Sequence, residues 1–87
     1  MNVQAELSLY PLRTDELSGP IEAFCQALSR HGLEVHAGPM STRVAGDIER
    51  LFAGLGEAFG QVARDFETVL IVKVSNACPE NHGEHGP

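Results

Sequence analysis

Ala5-Glu6-Leu7-Ser8-Leu9-Tyr10-Pro11-Leu12 near one end of the chain, and Val69-Leu70-Ile71-Val72-Lys73-Val74 running into Ser75-Asn76-Ala77-Cys78-Pro79 near the other, decide the reading of the fold. Each reads as a strand that stops at a proline, because proline has no backbone N–H to give to a ladder. Between them the pattern runs helix, strand, strand, helix. That order predicts a split β-α-β unit in which the two end strands lie side by side. The expectation is that the polar residues at their ends meet there.

Working outward, Val3 to Tyr10 alternates cleanly, with Val3, Ala5, Leu7 and Leu9 on one side and Gln4, Glu6, Ser8 and Tyr10 on the other. Arg13 to Leu17 is a polar connection. A helix is predicted from Ser18 to His31, with Ser18 as N-cap, Pro20 in the first turn and Gly32 as a left-handed C-terminal stop. Leu17, Ile21, Phe24, Cys25 and Leu28 make its apolar stripe. Leu33 to Ala37 alternates as a second strand. Gly38-Pro39 turns the chain into a third, Met40 to Ala45. Gly46 breaks it and Asp47 caps a second helix, whose stripe is Ile48, Leu51, Phe52, Leu55, Phe59 and Val62. Gly54, Gly56 and Gly60 each cost this helix about 1 kcal/mol against alanine. They are either tolerated in a well-packed helix or mark the close approach of a neighbouring backbone. Phe66 to Ser75 forms the last strand, apolar on both faces through its middle, which suits a central position or an open face that a partner covers.

The predicted fold is therefore α+β: a ferredoxin-like β-α-β-β-α-β sandwich. Its four-stranded antiparallel sheet has the order 4-1-3-2 and two helices on one face. Residues 1–79 form the domain, and 80–87 are expected to be a disordered polar tail. The bare sheet face collects Glu6, Ser8 and Tyr10, then Glu34 and His36, Ser41 and Arg43, and Val69, Ile71 and Lys73. That mixture calls for a partner sheet or a ligand.

Composition narrows the function. The chain has 87 residues, 43% of them hydrophobic, enough for one modest core that association would help to stabilise. Its formal charge is −6, with 6 Lys and Arg against 12 Asp and Glu. That argues against nucleic acid, which needs clustered cations. No window reaches the roughly 18 apolar residues of a membrane span, and no signal peptide is expected. Cys25 falls on the apolar side of a helix and Cys78 near the tail, so no disulfide framework forms. A reduced cytoplasmic protein is the simplest reading.

No nucleophile elbow, zinc-binding helix or phosphate loop is present, so no enzyme is expected. Cys78, His82 and His85 have spacings of four and three. The prolines and glycines among them argue against the helix that would gather them, and no metal site is expected. The polar types at the strand ends suit an aminopyrimidine, which asks for a carboxylate or carbonyl, a hydroxyl or amide, and an aromatic wall. Glu6, Ser8, Tyr10, Ser41, Thr42 and Asn76 supply them. A cationic thiazolium would also be drawn to the Tyr10 ring. Equally, Glu6 and Glu34 can simply pair with Arg43 and Lys73 across the sheet.

These residues carry a resemblance. Ser8-Leu9-Tyr10-Pro11-Leu12, Ser41-Thr42 ahead of Val44 and Gly46-Asp47, and Ser75 with Cys78-Pro79 resemble three segments of YkoF-like thiamine/hydroxymethylpyrimidine-binding proteins, in the same order. Pro39-Met40-Ser41-Thr42 is similar to a hairpin of the small single-domain thiamine-binding proteins. The resemblance implies a non-catalytic, cytoplasmic protein that binds thiamine or its hydroxymethylpyrimidine precursor in salvage or transport. It also implies a homodimer or homotetramer through the open sheet face, since the YkoF-like members carry two such repeats and this chain one. The rival reading is a structural or regulatory oligomerisation module with no small-molecule ligand, served by Val69 and Ile71.

Overall fold

The computed structural model describes residues 1–77; Cys78, Pro79, His82, His85 and the expected tail lie outside them. Strand β1 spans Asn2–Pro11, helix α1 Ser18–Arg30, β2 Glu34–Ala37, β3 Thr42–Asp47, helix α2 Ile48–Asp65 and β4 Thr68–Ser75. All pairings are antiparallel, and the sheet order is β2-β3-β1-β4. This is the predicted ferredoxin-like α+β arrangement, with β1 and β3 central and β2 and β4 at the edges.

Alternation along β1 sends Val3, Ala5 and Leu7 into the core, where they meet Val44 of β3, Phe24, Ala27 and Leu28 of α1, and Leu51, Leu55, Ala58 and Val62 of α2. The α2 stripe is narrower than its hydrophobic residues suggest. Phe52 is 53% exposed, while Ala58, a residue too small to attract notice, is wholly buried. Leu17, at the cap position ahead of α1, is likewise exposed.

The helix ends follow local chemistry. Asp47 accepts from the backbone N–H groups of Glu49 and Arg50, capping α2 as its position predicts. Helix α1 starts differently from the expectation. Ser18 is its first residue, Leu17 holds the cap position, and no side chain caps it. Pro20 removes one of the first-turn donors, so less capping is needed there. Gly32 stops α1 at φ 77°. The strand β3 runs through Gly46 to Asp47, and a Cβ at Gly46 would stand 2.7 Å from Leu33 Cδ2, so Leu33 would have to shift to admit one. Of the glycines inside α2, Gly54 makes a close approach, with His31 and Leu33 side chains 3.3 Å from its virtual Cβ. The neighbours there are side chains rather than backbone, and Gly56 and Gly60 face open space.

Two expectations about the strand ends are corrected. First, β1 and β4 are neighbours, but antiparallel neighbours share opposite ends. Tyr10 pairs with Val69 at the start of β4, and Ser75 pairs with Gln4. Asn76 therefore lies beside Met1, whose sulfur accepts from its amide at 3.9 Å. Four residues of strand, roughly 13 Å, separate Ser8 from the Gln4–Ser75 pair, and Asn76 lies beyond it. Second, Pro11 does not end the ladder. It pairs with Thr68, and the Leu12 N–H then donates to the Glu67 carbonyl at 2.7 Å. Alternation puts the Pro11 nitrogen on the side of β1 away from β4, where β3 has already ended, so the missing donor costs nothing.

Candidate small-molecule site

The central strand β1 is longer than one of its partners. Its pairing with β3 runs only from Asn2 to Leu7, whereas its pairing with β4 continues to Pro11. Past Leu7 the β3 side of β1 is therefore vacant. Since Leu12 donates to β4, the even residues aim their peptide groups at β4 and the odd ones at β3. Leu7 is served by Thr42, but Leu9, next in that series, has no strand opposite it. Its N–H and C=O open toward the Gly38–Ser41 turn, which closes on itself through the Gly38 N–H and Ser41 carbonyl at 2.9 Å.

A crevice of about 80 Å3 fills this gap, lined by Leu7, Ser8 and Leu9, by Ile21 and Phe24 of α1, and by Gly38 to Thr42. It is apolar on the helix side and polar on the sheet side. Thr42 is 8% exposed, and the partner of its hydroxyl is the Cys25 thiol, a weak contact at 3.9 Å. On the bare face the Ser41 hydroxyl donates to Glu6 Oε2 at 3.0 Å, and Lys73 Nζ stands 3.9 Å from Glu6 Oε1. Glu6 is thus held by two neighbours, one of them Ser41, which lines the crevice.

The residues picked out from sequence separate into three places. Ser8, Ser41 and Thr42 converge on the crevice, and Glu6 joins them through Ser41. Thr42 reaches it from the helix side of the sheet, because it follows Ser41 and adjacent strand residues face opposite ways. Tyr10 stays on the bare face, 48% exposed beside Val69, two residues beyond Ser8. Asn76 stands at the far end of the sheet. The peptide of Leu9 is the part that side-chain reasoning missed; the unequal lengths of strands one and three were its only signal.

Backbone and hydroxyls in this arrangement present an edge with a donor beside an acceptor, which is what a planar heterocycle carrying an amine next to a ring nitrogen pairs with. Among the described residues no three His, Cys, Asp or Glu side chains gather as a metal would need. Among the described residues no helix is long and apolar enough to cross a membrane.

Residues 5–77 match the family profile described as thiamine-binding protein. The chain belongs to the thiamine-binding protein family. The hypothetical protein MJ1052 of Methanocaldococcus jannascii superposes with a TM-score of 0.81 at 24% identity, covering 88% of this chain and 81% of that one. TM0486 of Thermotoga maritima, provisionally described as a thiamine biosynthesis/salvage protein, gives 0.76 at 21% identity over 86% and 83%. SP2199 of Streptococcus pneumoniae gives 0.82 at 18% identity over 98% and 97%. At these identities the likeness shows the fold. No curated protein matches the sequence.

Proposed function

We propose that this chain is a non-catalytic binding protein for thiamine or its hydroxymethylpyrimidine precursor, serving salvage or transport in the cytoplasm. The observation that carries the reading is the crevice at the vacant side of β1, in a chain of the thiamine-binding family. The Leu9 carbonyl accepts from the exocyclic amine of the pyrimidine, and the Leu9 N–H donates to the adjacent ring nitrogen. Ser8, Ser41 and Thr42 serve the ring's remaining polar atoms, and Phe24 and Ile21 cover its apolar side. Glu6, at the rim, attracts a cationic thiazolium, to which Tyr10 offers its ring face.

Calorimetry and thermal melts with thiamine and with hydroxymethylpyrimidine test this. A ligand at 100 times its Kd adds about 2.7 kcal/mol to the native state. For a domain of this size that raises Tm on the order of 10 °C. No heat and no shift with either compound at millimolar concentration would sink the proposal.

A second reading keeps its own observation. Val69 and Ile71, 45% and 49% exposed, stand on the bare face of an edge strand. They fit a homodimer or homotetramer formed through the open sheet face, with or without a ligand.

A further inference from the structure

We propose that the bare-face end of this site takes the phosphate monoester of its aminopyrimidine ligand, with Arg43 as the residue that holds the phosphate. The inference rests on the pyrimidine-binding reading above and adds the charge of the ligand to it.

The chain has 6 Lys and Arg against 12 Asp and Glu, and of the three arginines that make no ion pair among the described residues, Arg43, Arg50 and Arg64, Arg43 is the one on the bare sheet face. Two of the six, Arg43 and Lys73, sit on the bare sheet face, and register places them on either side of Glu6. Their roles differ. Lys73 shares the Glu6 carboxylate with Ser41. Glu34, the next carboxylate along the sheet, accepts from His36 Nε2 at 3.0 Å. Both acids are therefore served by other groups, and Arg43 makes no ion pair among the described residues.

Its position is also particular. Arg43 stands between its register partners Glu6 and His36. A concavity of about 320 Å3, lined by Glu6, His36, the Gly38–Ser41 turn and Arg43, opens on one side of it. A second, of about 460 Å3, opens on the other and shares the His36 and Arg43 wall. The first has the Gly38–Ser41 turn in common with the pyrimidine crevice. Ser41 and Arg43 are two residues apart on one strand face, roughly 7 Å, which a ring substituent ending in a phosphate can bridge. The guanidinium fork matches two phosphate oxygens at once. On this face Arg43 and Lys73 balance Glu6 and Glu34. The rest of the molecule repels an anion; this face does not.

Calorimetry on the full chain with hydroxymethylpyrimidine, its phosphate monoester and inorganic phosphate alone decides the matter. The ester should bind on the order of tenfold more tightly than the free alcohol. Arg43→Gln should abolish that difference while leaving alcohol affinity and Tm unchanged, and Arg43→Lys should retain part of it. Added salt should weaken the ester and not the alcohol. Ester and alcohol binding equally well, Arg43→Gln weakening both alike, or inorganic phosphate matching the ester would each overturn the proposal. If neither pyrimidine binds, the underlying reading falls, a result distinct from the alcohol binding without preference for the ester.

Discussion

Ser41 and Thr42 are adjacent in the chain and serve opposite sides of the sheet. Ser41 holds Glu6 on the bare face, and Thr42 points beneath, against Cys25. Both border the same crevice because it lies at the end of β3, where the sheet no longer separates its two faces. Thr42→Val keeps the shape and removes the hydroxyl. Since that hydroxyl's protein partner is a distant thiol, stability should change by no more than about 1 kcal/mol. Affinity for the pyrimidine, read by calorimetry, should drop on the order of tenfold. Unchanged affinity would remove Thr42 from the site. Gly46 is the contrasting case, a residue whose worth is purely steric. Gly46→Ala sets a methyl 2.7 Å from Leu33 Cδ2 and should cost about 1–3 kcal/mol in denaturant unfolding. A melt equal to the wild type would mean that Leu33 moves aside freely.

At the scale of elements, the longest contrast is between what alternation reveals and what it hides. The period of two in Val3 to Tyr10 and of about 3.6 around Leu51, Leu55 and Val62 made the β-α-β-β-α-β order legible. Gly32 and Asp47 marked two of the helix ends. Side-chain patterning carries no information on which peptide groups lack a partner, so the vacant Leu9 edge was legible only through the unequal lengths of strands one and three. Nor did a proline in β1 report where pairing stops, because its effect depends on which neighbour its nitrogen faces. The helices raise a separate point. Glu57 of α2 meets His31 Nε2 at 2.6 Å, with Arg30 Nη2 at 3.7 Å, tying α2 to the C-terminal end of α1. The hydrogen bond to His31 holds the Glu57 carboxyl below its ordinary value of 4.5. A carboxyl depressed in the folded state adds stability above its unfolded value and loses it as the pH falls through the folded one. Thermal melts of Glu57→Gln should therefore lie below the wild type near neutrality, with the gap closing below about pH 4.5. A gap that stays constant into acid would show that this carboxylate does not link the helices.

For the molecule as a whole, the unresolved tension is a sheet covered by helices on one face only. The core takes Val3, Ala5, Leu7 and Val44 on the helix side. The other side leaves Val69 and Ile71 about half exposed on β4. That strand is also an edge, eight residues long, without proline and with Lys73 as its one charge. Edge strands that must stay single are commonly guarded by prolines, bulges or several charges, and β4 has little of this. A second copy laid across the bare face would cover these side chains and close the open concavities beside the turn, turning a shallow surface into an enclosed site. Ile71→Glu tests this directly. Residue 71 points to the bare face opposite Ser8, so a charge there leaves the core untouched and the monomer folded by circular dichroism. Light scattering coupled to gel filtration should then show a wild-type mass of two or four chains and a smaller mass for the variant. A wild type that elutes as a monomer, or a variant whose mass is unchanged, would contradict burial of this face. The same variant separates assembly from binding. If the site is complete within one chain, Ile71→Glu keeps its pyrimidine affinity; if the partner encloses it, affinity falls together with the mass.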